Sequence, residues 1–101
     1  MIDKQKRIDH LLFCLGEECG ELQQAVGKAG RFGIGASSRK TGMPNLESIQ
    51  REFNDVLAMY EMMMLEVDES IIDYSHNEEW IHDCIETKKA KVKKYINQEK
   101  E

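Results

Sequence analysis

The chain has 101 residues, of which 41% are apolar and 33% are charged, with 14 Lys and Arg residues against 19 Asp and Glu residues. This length predicts a single domain over residues 1–101, and the composition is typical of a folded protein. The net charge of -5 argues against general binding of nucleic acid polymers, because their phosphates have to be met by Lys and Arg. A domain this small buries only about 60–65% of its unfolded surface, so we expect it to associate with a partner subunit.

The sequence predicts a cytoplasmic protein that does not enter a membrane. Residues 1–7 lack the apolar core of a signal peptide, and no apolar run approaches the ~20 residues needed to span a bilayer. Cys14, Cys19 and Cys84 are odd in number and form no CxxC motif, which argues against a disulfide framework or a zinc site. A reducing compartment is therefore expected.

Helical periodicity dominates the chain. The first predicted helix runs from about Asp3 to Val26 and carries apolar residues at spacings of three and four. These residues are Ile8, Leu11, Leu12, Leu15, Cys19, Leu22 and Val26. The second predicted helix begins after Pro44, with Asn45 as its N-cap. Its apolar stripe consists of Ile49, Phe53, Val56, Leu57, Tyr60, Met63, Met64 and Val67.

A third helix is predicted from Ser75 and Glu78, which have the spacing of a capping box, and it runs to about Gln98. Its apolar residues are expected to face the core, and they are Ile81, Ile85, Val92 and Ile96. A short turn or extra helix is expected over residues 68–77. No stretch alternates with a period of two for long enough to indicate a strand. The predicted fold is an all-α antiparallel helical bundle with a long, glycine-rich, basic loop between its first two helices.

Two groups of acidic residues lie in the first two predicted helices. Glu17, Glu18 and Glu21 belong to the first, and Glu52 and Asp55 to the second. At about 100° per residue, each group lies to one side of the apolar stripe of its helix. Antiparallel packing, which is common for consecutive helices in a small bundle, brings both groups to the same edge. Carboxylates gathered there repel one another unless a cation lies among them, and Mg²⁺ or Mn²⁺ suits such ligands. A solvated acidic face is the alternative interpretation.

The segment between these acidic groups is basic and rich in glycine. Residues 22–46 contain no acidic side chain, but they include Lys28, Arg31, Arg39 and Lys40. We expect a flexible loop of about 17 residues, which is long for a simple connection. Basic side chains and free backbone N–H groups beside a metal ion suit a polyphosphate ligand. A connector whose Lys and Arg residues only aid solubility is the alternative.

These motifs resemble the MazG-like, all-α nucleoside triphosphate pyrophosphohydrolases. That family is marked by an EExxE motif followed by an ExxD motif. Here EExxE is residues 17–21, and ExxD is residues 52–55, which begin an ExNDxLA segment at residues 52–58. The resemblance is greatest to compact phage and bacterial members, which carry a segment like residues 28–33 after the first motif and a tail like residues 91–95. It covers roughly residues 8–96 of the chain.

The resemblance implies Mg²⁺-dependent hydrolysis of a nucleoside or deoxynucleoside triphosphate to the monophosphate and pyrophosphate, with Mn²⁺ as a substitute ion. By position, Glu18, Glu21, Glu52 and Asp55 resemble the metal ligands of the family. Glu17 would be a further ligand or would orient the attacking water. The family is usually dimeric or tetrameric, so a cytoplasmic homodimer or homotetramer is implied.

Several other residues are candidates for binding the substrate. Lys28 and Arg31 belong to the basic segment, and by the resemblance Lys91 reaches a phosphate, with Lys94 behind it. Phe32 is a candidate to stack on a base, and Asn54 to hydrogen-bond a sugar or base. Packing or solvation is the alternative for each of these residues.

A second class of function also fits the sequence. The chain could be a non-catalytic all-α homodimer that binds a partner protein, with its acidic face only solvated. The acid-free, basic segment between the two acidic motifs favours the enzyme.

Overall fold

The computed structural model describes residues 3–99, which form three α-helices and a short 3₁₀ turn. The helices are α1 (Lys4–Phe32), α2 (Asn45–Glu66) and α3 (Glu78–Glu99), and the 3₁₀ turn covers Glu69–Ile71. No strand occurs in this part of the chain, so the predicted all-α fold is confirmed. No helix formed by these residues is long and apolar enough to cross a membrane.

The chain divides into two compact units, and each is described by itself. The first ends at Asp68 and contains α1, α2 and their connection. The second begins at Glu69 and contains the 3₁₀ turn and α3. A single domain over the whole chain stays a prediction.

The first helix begins as predicted but ends later. The Asp3 carboxylate accepts a hydrogen bond from the Lys6 N–H at 2.9 Å, as an N-cap does. The helix then continues through residues 27–30 to Phe32, because a glycine inside a helix costs only about 1 kcal/mol. It ends at Gly33, whose φ of 102° is a conformation that glycine adopts without strain.

The predicted loop is therefore too long, and the connection between α1 and α2 covers residues 33–44. Lys28 and Arg31 lie in the last turns of α1, where the helix holds their backbone, and not in a flexible segment. Arg39 and Lys40 remain in the connection.

Asn45 ties the connection to the end of α1 instead of capping α2. Pro44 occupies the N-cap position, and α2 begins at Asn45 itself. The Asn45 side chain is buried, and its Nδ2 donates a hydrogen bond to the Gly33 carbonyl at 2.8 Å. Its backbone N–H donates to the Ala36 carbonyl at 2.8 Å. The predicted N-cap role of Asn45 is thus wrong, because its side chain faces back toward α1.

The two long helices of the first unit form an antiparallel hairpin. Besides the Asn45 contacts at one end, Arg7 near the start of α1 lies 3.1 Å from the carboxylate of Glu66 at the end of α2. Between these ends the most buried apolar residues are Leu11 and Ala25 of α1. The antiparallel packing predicted for the first two helices is confirmed.

The buried face of the hairpin is rotated relative to the predicted apolar stripes. Glu18 and Ala25 lie on the face of α1 that meets α2, whereas Leu12, Cys19 and Val26 are exposed. Two helices share one interface, so each can bury only one side of its surface. Six of the exposed apolar side chains follow one edge of the hairpin, which we call the apolar edge. It consists of Leu12, Val26, Leu46, Phe53, Leu57 and Tyr60.

The third helix begins with a different cap from the predicted one. The Asn77 side chain accepts a hydrogen bond from the Trp80 N–H at 3.2 Å, and the helix starts at Glu78. Ser75 instead donates its hydroxyl and its N–H to the Asp73 carboxylate, at 2.6 and 2.9 Å. These two hydrogen bonds lower the pKa of Asp73. The capping box assigned to Ser75 is therefore wrong, because this hydroxyl stabilises the preceding turn.

The apolar stripe of α3 has no partner among the described residues of its own unit. Ile81, Ile85, Val92 and Ile96 are each 45–48% exposed. The second unit contains one long helix, and a single helix has no second long element against which to bury a stripe. That these residues face a core stays a prediction.

Candidate functional site

Three carboxylates converge between α1 and α2. One oxygen from each of Glu18, Glu52 and Asp55 lies within 4.8 Å of the others, and we call this group the carboxylate cluster. Glu18 and Glu52 are half-buried at positions between the two helices, and Asp55 is exposed. The convergence predicted from the helical periodicity and the antiparallel packing is confirmed for these three of the five predicted acids.

The cluster is electrostatically strained without a cation. Partial burial raises the pKa of Glu18 most, followed by the negative charges of Asp55, Glu52, Glu21 and Glu17. A half-buried carboxylate that faces other carboxylates destabilises the folded state. Acidic groups placed in this way are more typical of a functional site than of a helix interface selected for stability.

Glu17 and Glu21 lie beside the cluster but are not part of its three-oxygen group. Both are exposed, and both are near enough for their charges to raise the pKa of Glu18. Their assignment as metal ligands or as a residue that orients water stays a prediction. The donors of the cluster are carboxylate oxygens, which suit a hard divalent cation such as Mg²⁺ or Mn²⁺.

The raised pKa of Glu18 predicts that the hairpin loses stability as the pH rises. The folded state holds the Glu18 proton more tightly than the unfolded chain does. This contribution is therefore fully present below the ordinary value of 4.5 and is lost as the pH rises through the raised pKa. In Glu18→Gln the side chain stays neutral, so this loss should be absent.

Urea unfolding in EDTA, followed by circular dichroism between about pH 4 and pH 7, measures this effect. The unfolding free energy of the wild type minus that of Glu18→Gln should decrease as the pH rises. Glu17→Gln is a graded control: it removes only one of the charges acting on Glu18, so it should weaken the pH dependence in part. A difference between wild type and Glu18→Gln that does not vary with pH would contradict the prediction.

A pocket lies at the connection between the two helices. It has a volume of about 600 Å³, within the range of small-molecule sites, and we call it the connection pocket. Its lining residues are Lys28, Phe32, Ser37, Ser38, Arg39 and Asn45. Among the described residues, neither Lys28 nor Arg39 forms an ion pair with a carboxylate. The pocket therefore offers two uncompensated cations and an aromatic ring.

The connection pocket and the carboxylate cluster lie along the same edge of the hairpin. Glu21, Lys28 and Phe32 fall on one flank of α1, because residues seven and eleven positions apart nearly repeat on a helix of about 3.6 residues per turn. Glu18 and Lys28 are separated by about 15 Å along the axis, and Asn45 and Glu52 by about 10 Å. A ligand with a phosphate chain and an aromatic end fits this arrangement.

The remaining predicted substrate-binding residues lie on several elements. Arg31 does not line the connection pocket; it lines a groove along α1, with its guanidinium carbon 5.7 Å from the centroid of the Phe32 ring. Asn54 lines a different groove on α2, about 200° around the helix from Glu52, so it points away from the cluster. Lys91 and Lys94 are exposed on α3 in the second unit, and their contact with a substrate stays a prediction.

Ser37, Ser38 and Arg39 are pocket residues that the sequence motifs do not identify. The acid-free, basic composition of residues 22–46 includes Arg39, but composition does not distinguish it from Lys40. The distinction depends on how residues 33–44 fold back toward α1, which the buried side chain of Asn45 determines.

Comparisons with models of protein families, with curated proteins and with solved structures find no significant match to this chain. The resemblance to the MazG-like pyrophosphohydrolases therefore rests on the motifs themselves. What the site does is inferred below from those motifs and from its geometry.

Proposed function

We propose that this chain is a Mg²⁺-dependent nucleoside triphosphate pyrophosphohydrolase of the MazG-like, all-α type. The observation that supports this most is the convergence of Glu18, Glu52 and Asp55, whose carboxylate oxygens lie within 4.8 Å of one another. Three carboxylates at a helix interface have no stabilising role of their own. A site for a divalent cation beside a basic pocket accounts for their position.

The donor set fits Mg²⁺, or Mn²⁺ in its place. Glu18, Glu52 and Asp55 would hold the ion, and Glu21 as a further ligand stays a prediction. When bound, such an ion neutralises charge on phosphate oxygens and lowers the pKa of a coordinated water.

The side chains around the cluster have separate roles in the proposed reaction. Water attacks the α-phosphorus, the bond from that phosphorus to the bridging oxygen breaks, and pyrophosphate leaves. Glu17, exposed beside the cluster, would orient this water and accept its proton. Lys28, which lines the connection pocket, would stabilise the negative charge of the phosphates. The same role for Arg31 stays a prediction.

The lysines of α3 are proposed to add further positive charge. Residues 87–98 contain no acidic side chain and include Lys91 and Lys94, both exposed. Lys91 would reach a phosphate, with Lys94 behind it. The free thiols of Cys14, Cys19 and Cys84 suit the reducing cytoplasm that we propose as the location.

The proposed assembly is a homodimer or homotetramer. The apolar edge of the hairpin presents a stripe from each of two helices, with its side chains 42–51% exposed. A second copy of the hairpin would cover both stripes and complete a four-helix bundle. A non-catalytic homodimer would have the same apolar edge, so turnover is what separates the two functions.

The proposed activity predicts that pyrophosphate, and not orthophosphate, is the first product released from a nucleoside triphosphate. The test is a screen of the eight common ribo- and deoxyribonucleoside triphosphates with Mg²⁺ or Mn²⁺, with product identified by ³¹P NMR. Addition of EDTA should stop turnover. Orthophosphate as the first product, or no turnover of any of the eight, would instead favour the non-catalytic protein.

A further inference from the structure

We infer that the connection pocket binds the base of the nucleotide and selects guanine over adenine. This inference rests on the proposed function for its substrate, but it concerns residues that lie away from the carboxylate cluster. It follows from the position of the pocket, from its one aromatic ring and from the hydrogen-bonding character of its lining.

The position assigns the base end of the substrate to this pocket. The cluster and the pocket lie along one edge of the hairpin, about 15 Å apart on α1. A triphosphate chain held at the cluster would extend past Lys28, which lines the pocket. The sugar and base then lie at the turn between the helices.

Phe32 provides a surface on which a base can stack. Its side chain lies in the last residue of α1 and is 68% exposed, which is unusual for a ring that only fills a core. The Arg31 guanidinium lies over the ring at 5.7 Å from its centroid. Every base has a π-face that can stack on an aromatic ring. Phe32 therefore adds affinity for the nucleotide but does not discriminate between bases.

Discrimination between the purines is assigned to Arg39, because its guanidinium presents two parallel donors. The pocket contains no carboxylate, and its side-chain acceptors are the Asn45 Oδ1 and the serine hydroxyls. The Arg39 guanidinium and the Lys28 ammonium can only donate hydrogen bonds. The Ser38 Oγ already accepts hydrogen bonds from the N–H groups of Lys40 and Thr41, at 3.2 and 3.4 Å, so its hydrogen remains to be donated. The Asn45 amide nitrogen is already committed to the Gly33 carbonyl.

Of the two purines, guanine is the one whose N7 edge matches a forked donor. It presents two adjacent acceptors, N7 and O6, whereas adenine presents the N7 acceptor beside the N6 donor. The guanidinium of Arg39 is therefore assigned to N7 and O6 of guanine.

The first test compares kcat/KM for GTP and ATP. We expect GTP to exceed ATP by at least about fivefold, the lower end for one bidentate base contact. Arg39→Lys keeps the positive charge but loses the fork, so the ratio should fall toward one with little change for ATP. Lys40→Ala is the matched control, because Lys40 is the next residue and does not line the pocket. It should leave the ratio unchanged.

Phe32→Leu should lower kcat/KM for both nucleotides by a similar factor, between about 5 and 150, as expected for loss of one stacking contact. A wild-type GTP to ATP ratio near one would overturn the guanine assignment. A Phe32→Leu variant with normal kcat/KM for both nucleotides would overturn the assignment of the pocket to the base.

A second measurement needs no turnover and separates this inference from the proposed function. Amide NMR signals of residues 32–39 are followed while GMP or AMP is added to the protein in EDTA. We expect GMP to shift them at a lower concentration than AMP, and Arg39→Lys to remove the difference. If no triphosphate is hydrolysed but GMP binds selectively here, the enzyme proposal fails and the pocket assignment stands. If triphosphates are hydrolysed and the two monophosphates bind alike or elsewhere, the pocket assignment fails alone.

Discussion

Glu52→Gln and Asp55→Asn are each expected to lower kcat/KM by more than about a hundredfold, beyond the 10–100-fold typical of residues that only support a metal ligand. Each substitution removes a negative charge that the cation needs but keeps the shape of the side chain. The same change relieves repulsion within the carboxylate cluster. The melting temperature of the metal-free protein should therefore stay constant or rise, so that activity and stability change in different directions.

The stabilisation by Mg²⁺ should shrink in both variants, because a ligand stabilises the folded state only in proportion to its binding. The measurements are turnover, the melting temperature in EDTA and the melting temperature in Mg²⁺. Glu61→Gln is the matched control, since Glu61 is an exposed acid on the same helix, about 180° around it from Glu52. A Glu52→Gln variant with normal turnover and a full Mg²⁺ shift would show that Glu52 holds no metal.

The carboxylate cluster could be predicted from the sequence because its geometry depends on regular features. An i, i+3 pair of acids keeps its direction along any α-helix, and consecutive helices in a small bundle commonly pack antiparallel. Together these features bring Glu18, Glu52 and Asp55 to one edge, regardless of how the rest of the chain folds.

The end of α1 and the pocket could not be predicted in the same way. Glycines at positions 27, 30 and 33 look alike in a sequence, yet only Gly33 adopts a positive φ. The difference arises from Asn45, a residue distant along the chain, whose side chain binds the Gly33 carbonyl. Local helix propensity does not predict this hydrogen bond between distant residues. It therefore does not predict which of the basic residues line the connection pocket.

Helical periodicity predicts one buried apolar face on each helix, but a single interface between two helices buries only part of such a face. The periodicity correctly marks which residues are apolar. It does not indicate whether they face α2, a second copy or solvent. Because Glu18 and Ala25 lie at the interface, Leu12, Leu57 and the rest of the apolar edge are exposed. A charge placed on this edge should therefore disrupt whatever covers it.

Leu57→Asp is expected to dissociate the assembly and lower its thermal stability, whereas Leu65→Asp should do neither. Leu57 belongs to the apolar edge and is 42% exposed, while Leu65 is 86% exposed and lies about 80° further around the same helix. Both variants replace a leucine of α2 by aspartate. They therefore differ only in which face of the helix carries the new charge. If a second hairpin covers Leu57, the new carboxylate is buried without a partner, which is strongly unfavourable.

Light scattering at micromolar concentration should give the wild type and Leu65→Asp a mass that is two or four times the 11.7 kDa of one chain. Leu57→Asp should approach the single-chain mass and lose cooperative unfolding, since a lone hairpin has a very small core. The loss should be comparable to that of a large core truncation, about 2–5 kcal/mol. A wild type that stays at 11.7 kDa at every concentration would mean that α3 of the same chain covers the apolar edge. In that case Leu57→Asp would still destabilise the protein, but without any change of mass, and the second copy would not be the partner of this edge.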